Sequence, residues 1–131
     1  MYFLLLLLAV SFSTYAPSAQ VQSDSIIGRW EMDKIVVDGD NDVSEEHNPK
    51  KNRYIVFNED GTFKSGGDPY GENTGKWTLD AENNELYLDS DVGEDDDSYW
   101  IIKIDGDNMH WQGARFEFSK RFQIYHVRGK Q

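Results

Sequence analysis

The feature that most constrains this chain is a rhythm. Eight short stretches alternate apolar and polar residues, and the connections between them alternate tight and long. The stretches are residues 29–37, 53–58, 62–65, 74–80, 85–90, 98–104, 109–113 and 121–128. Alternation with a period of two reads as β-strand, and no stretch sustains a helical period. Asn58-Glu59-Asp60-Gly61, Ala81-Glu82-Asn83-Asn84 and Asp105-Gly106-Asp107-Asn108 are short turns, with Asp-Gly supplying the positive φ that tight hairpins need. Residues 38–52, 66–73 and 91–97 are long and polar. Residues 114–120 are ambiguous, because Phe116 and Phe118 alternate well enough to extend the seventh strand. In a meander, successive connections lie at opposite ends. Tight turns therefore gather at one end and long loops at the other. The expected fold is all-β, an eight-stranded antiparallel up-and-down β-barrel with one plugged end and one open mouth. Greek-key crossovers in a β-sandwich would not be expected to give this alternation. In the first strand Trp30 and Met32 share one parity while Ile35 and Val37 share the other, which predicts a bulge near Asp33-Lys34. Ahead of it, residues 23–27 could form one helical turn capped by Ser23 or Asp24.

The first 22 residues are read as a targeting segment, leaving residues 23–131 as one domain. Residues 3–10 are an unbroken apolar run, too short for the roughly 20 residues of a membrane span but suited to the core of a signal peptide. No Lys or Arg precedes it, so only the amino terminus supplies positive charge. Small residues place cleavage within residues 18–22. The protein is expected to be secreted or periplasmic, monomeric, and without stable membrane insertion after cleavage. Cysteine is absent, which excludes disulfides, a thiol nucleophile and thiolate metal sites. Acids outnumber bases 24 to 13, a net charge of -11. That argues against nucleic acid and anionic membrane as partners.

Gly28-Arg29-Trp30 opens the first strand and Arg128 ends the last. With the hairpin Phe57-Asn58-Glu59-Asp60-Gly61-Thr62-Phe63 and with Gly75-Lys76-Trp77-Thr78, the chain resembles the lipocalins, and more closely the small bacterial lipocalin-like proteins. The resemblance spans roughly residues 26–130. It implies that Gly28, Trp30 and Arg128 are structural, with Trp30 packed across the closed end beneath Arg128 in a cation–π contact. It also implies a calycin-type barrel. The chain departs from typical lipocalins in being shorter, in lacking Thr-Asp-Tyr, and in showing no helix after the last strand.

The expected inward residues are Trp30, Phe57, Phe63, Trp77, Leu79, Leu86, Leu88, Trp100, Ile102, Ile104, Met109, Trp111, Phe122 and Ile124. They could simply fill the barrel, or those near the mouth could line a small apolar pocket. Phe63, Trp77, Trp100, Trp111 and His126 are the candidates for ligand contact. Of the other histidines, His47 lies in a loop and His110 faces outward by parity. His126 is expected inward, as a satisfied core residue. Two acidic groups, Asp38 to Glu46 and Asp89 to Asp97, fall in long loops. They should make the mouth negative, disfavouring fatty acids and favouring neutral or cationic ligands. Asp38, Asp40 and Asp42 begin like a calcium loop, but Val43 replaces the needed Gly and Pro49 the closing Glu. Loose calcium binding by that loop remains the one metal candidate. Serine-nucleophile, phosphate-loop and zinc patterns are absent. No cofactor is expected. The functional expectation is non-catalytic binding of a small, mainly apolar molecule. The alternatives are a filled-barrel interaction module that uses its acidic rim to bind a protein, glycan or cation, and a small isomerase or hydrolase built on His126.

Overall fold

The computed structural model describes residues 20–130. The predicted targeting segment, as far as residue 19, lies outside the described residues. A helical turn α1 (Ser23–Ile26) leads into β1 (Gly28–Val37), a two-residue ribbon β2 (Asn41–Asp42) and a second turn α2 (Ser44–His47). Then follow β3 (Tyr54–Phe57), β4 (Thr62–Gly66), β5 (Asn73–Asp80), β6 (Glu85–Ser90), β7 (Ser98–Asp105), β8 (Asn108–Gly113) and β9 (Phe122–Arg128). Each strand after β2 pairs antiparallel with the next, and β1 pairs with both β3 and β9. The sheet is thus a closed, eight-stranded up-and-down barrel, with β2 folded back on the end of β1. Closure removes the unpaired strand edges that an open sheet would expose.

The bulge falls where parity requires it. Met32 opposes His126 and Lys34 opposes Tyr125, leaving Asp33 unopposed. The extra residue turns Ile35 inward against Ile124, so β1 can bury apolar residues on both sides of the break.

The tight turns and α1 gather at one end. Gly28 has φ 113°, a conformation that residues with a Cβ avoid, and it turns the chain from α1 into β1. Trp30 is completely buried, and its Nε1 donates to Ile26 O at 2.8 Å. The Arg128 guanidinium lies 3.8 Å over the Trp30 ring and donates to Ile27 O and Ser25 O, each at 2.9 Å. One arginine therefore ties the last strand, the first strand and the plug together. The cap of α1 differs from expectation. Gln22 is the N-cap, with no side-chain cap bond. Tertiary contacts hold this single turn instead, including Val21 N donating to Asn84 Oδ1.

One connection differs from the sequence expectation, and another that the sequence left ambiguous is resolved as a loop. Residues 38–52 carry β2 and α2 rather than plain loop. Ser44 Oγ accepts from Ile35 N, and Asn48 Nδ2 donates to Met32 O, so this segment covers the seam where β1 parts from β3. Residues 114–121 do not extend β8. Gln112 Nε2 donates to the carbonyls of Gly113, Lys120 and Phe122 and gathers the chain into a loop. That leaves Phe116 and Phe118 exposed.

Replacing Arg128 by Ala removes the ring contact and both carbonyl bonds. We expect a loss of about 2–3 kcal/mol in urea unfolding, with faster amide exchange across residues 21–27. A loss confined to global stability, with no local change in exchange, would contradict the role of Arg128 as the pin of the plug.

Candidate ligand-binding site

The lower half of the barrel is solid. Trp30, Phe57, Leu86, Ile102 and Met109 are almost wholly buried there. Above them, toward the long loops, a cavity of about 480 Å³ opens. Its walls are inward residues of successive strands: Ile55 from β3, Phe63 from β4, Leu88 from β6, Trp100 from β7, Trp111 from β8, and Ile124 and His126 from β9. A smaller space of about 260 Å³ adjoins it and shares Arg53, Tyr70, Trp100 and Ile124. Core filling and pocket lining are thus both present, in different halves.

Four of the five proposed contact residues, Phe63, Trp100, Trp111 and His126, line this cavity. Trp77 does not. Its Nε1 donates to Asn58 O at 3.0 Å and its ring meets Phe57 edge-on at 5.6 Å. Inward parity was right, but depth was not legible. The second half of β5 runs past the β3–β4 turn, so Trp77 joins the closed end. Close backbone approach matters at the other end of the site. Gly67 has φ 104°, and a Cβ there would sit 2.6 Å from Arg53 Cα. Only glycine lets the loop after β4 lie against the residue that precedes β3.

The acidic loops flank the open end. Asp38 is paired with Arg121, whose Nε and Nη2 each donate at 2.7 Å, and this holds the Asp38 carboxyl below its ordinary pKa. Asp42 accepts from Ser44 N at 2.9 Å. Its pKa is also lowered, chiefly by hydrogen bonding from Ser44. Among the described residues no three His, Asp or Glu side chains converge as metal ligands, so Asp38, Asp40 and Asp42 do not come together as a site. Asp97 is an anchor for its loop, accepting from Tyr87 Oη and Ser90 N. The Tyr87 hydroxyl is pushed up to about 12 by that bond. His110 faces outward against Gln123.

Sequence reasoning missed Arg53 and Tyr70. The signal for Arg53 was present: it shares parity with Ile55 and Phe57, so its side chain turns inward just above them. It lines both spaces, half-buried, with its guanidinium 4.7 Å from the centroid of the Tyr70 ring. Nη1 donates to His47 O at 3.0 Å. Tyr70 has no strand parity to betray it. It arrives from the long loop, where its hydroxyl meets His47 Nδ1 at 2.6 Å.

His126 is buried and faces inward as expected, but it is not satisfied. Its Nδ1 has no hydrogen-bond partner among the described residues, and neither has Nε1 of Trp111. The two rings are 4.3 Å apart. Burial lowers the His126 pKa to about 3, with the Arg53 charge acting in the same direction. The imidazole is therefore neutral at neutral pH.

A profile of the lipocalin-like domain matches residues 26–111. Curated proteins give no match. Among solved structures, a DUF4847 family protein from Bacteroides vulgatus ATCC 8482 is similar, with a TM-score of 0.57 over 81% of this chain and 95% of that one. At 14% identity this likeness concerns the fold alone.

The neutral state of His126 has a consequence for stability. Its folded pKa lies below the unfolded value, near 6.5, so the unfolded chain takes up a proton first as pH falls. The cost is about 1.4 kcal/mol per pH unit between roughly 6.5 and 3. A His126→Leu variant lacks this term. Relative to the parent it should gain roughly 2–3 kcal/mol between pH 7 and pH 4.5, read as diverging urea midpoints. Parallel midpoints would show that His126 titrates normally.

Proposed function

The chain belongs to the lipocalin-like domain family, and from that premise we propose that it is an exported, monomeric binding protein. It holds a small, mainly apolar molecule in the open half of the barrel and performs no chemistry on it. The observation that carries this is the cavity of about 480 Å³, walled by Ile55, Phe63, Leu88, Trp100, Trp111 and Ile124 above a solid core. Such a volume lies within the range of small-molecule pockets. Apolar walls reward ligand burial at about 25 cal/mol per Å² removed from water, and flat indole rings suit an apolar or aromatic body.

The apolar run at residues 3–10 supports export. Val21 is buried in the core and bonded through its amide to Asn84, which favours a cut ahead of it, in the early part of the 18–22 window. Among the described residues no helix is long and apolar enough to cross a membrane.

Native mass spectrometry of protein purified from an exporting host, beside a denatured sample, tests the reading. A discrete extra mass lost on denaturation is expected, together with a mature start before Val21. Trp100 touches both spaces and is only partly buried. Its replacement by Ala should weaken ligand binding at least tenfold and cost about 2–4 kcal/mol of stability. Stability loss with unchanged affinity would instead favour a filled barrel that works through its loops.

A further inference from the structure

Among the described residues, four of the five arginines have a carboxylate partner or a stacked, hydrogen-bonded seat. Arg29 lies 3.6 Å from Glu31, Arg115 pairs with Glu85, and Arg121 pairs with Asp38. Arg128 is stacked on Trp30 and bonded to two carbonyls. Arg53 alone of the five arginines is half-buried on the cavity wall, and no carboxylate of the described residues lies within 4.0 Å of it. This occurs in a chain with 24 acidic side chains. A guanidinium presents five donors, and among the described residues the side chain has one hydrogen-bond acceptor, His47 O. Its charge cannot be shed, because arginine does not deprotonate in proteins. Stacking on Tyr70 offsets part of the desolvation. The remaining donors are left to water or to a ligand.

The carboxylates nearest the cavity do not serve. Glu72 and Asp96 border it but are exposed, and Glu72 is bridged to Lys64 at 3.2 Å. The cavity wall carries a second sign of an unmet polar partner. Among the described residues Trp111 Nε1 is a buried donor without an acceptor, and the adjacent ring of His126 also has an unpartnered nitrogen.

We propose that Arg53 anchors a carboxylate on the otherwise apolar ligand, so that the protein takes a small monocarboxylic acid body-first into the barrel. This deepens the binding reading above and rests on it. A carboxylate is planar and matches the guanidinium fork with two parallel bonds. The body of the acid then lies against Trp100, Trp111 and Phe63, and its head group stays on the side shared with Tyr70. The acidic rim does not forbid this. Its charges are exposed and screened within about 8 Å at physiological salt, whereas the Arg53 contact is made in partly desolvated surroundings.

The test is isothermal titration calorimetry with matched acid and amide pairs, namely octanoate with octanamide and naphthalene-2-acetate with naphthalene-2-acetamide. In the unmodified protein the acid should bind at least tenfold tighter than its amide. Arg53→Met should erase that preference while leaving the amide within about threefold, and Arg53→Lys should keep part of it. Circular dichroism confirms the fold of each variant. The comparison in the unmodified protein decides the matter even if a variant does not fold. Amides that bind as tightly as the acids overturn the role of Arg53 and leave the apolar cavity reading intact. No heat from any of the four compounds at millimolar concentration overturns the cavity reading, and this inference with it.

Discussion

The pairing of β1 with β9 is the constraint on which everything else depends. Strands formed by local hairpins can assemble step by step, but this pair joins residues about ninety positions apart. Without it the sheet has two long edges and no interior. The pairing is locked where it begins. Trp30 sits opposite Arg128 in the register, and the same arginine that stacks on the ring also binds the carbonyls of Ser25 and Ile27. A cation at the end of the last strand thereby holds the plug over the first. Because the closed end is sealed by packed rings and one arginine, the other end is free to stay open.

That division explains how one small barrel can be both stable and hollow. An eight-stranded barrel has barely enough room for its own side chains. Here the large residues are distributed unevenly along the axis. Phe57, Leu86, Ile102 and Met109 crowd the lower half beside Trp30. The upper half is ringed by residues that leave space between them and is roofed by loops. The polar groups on that wall, Arg53, His126 and the Trp111 N–H, are costly to bury while they keep unused donors or acceptors. They give the site its chemical character, because apolar walls alone discriminate poorly between ligands of similar shape.

The sheet was largely legible in advance because its signals are local. Asp-Gly turns, period-two alternation and the parity break at Asp33 each depend on a few adjacent residues, and strand limits agree to within a residue or two. That logic left one segment undecided and misread another. Phe116 and Phe118 alternate like a strand, yet Gln112 binds three carbonyls and curls the segment into a loop. Residues 41–47 look like polar loop, yet Ser44 and Asn48 dock them on β1. In both cases a side chain bonds to backbone beyond its own turn, 8 to 16 positions away, and no pattern in the segment itself announces it. The site was partly legible for the same reason. Parity told which residues point inward, and Phe63, Trp100, Trp111 and His126 follow it. It could not tell depth along the barrel, so Trp77 stood among the candidates beside Trp100 and Trp111.

By itself, the amino-acid order determined the number of strands, their direction, the inward faces and the plugged end. It also carried the family, because each of these follows from periodicity, turn chemistry or a short motif. Only the tertiary structure decided that a cavity exists, how high each ring stands in it, and that a lone arginine faces it. Those properties depend on stagger between neighbouring strands and on which loop folds over the rim. Strand stagger and loop docking are set by contacts between residues far apart in the chain, so they come into being only when the barrel closes.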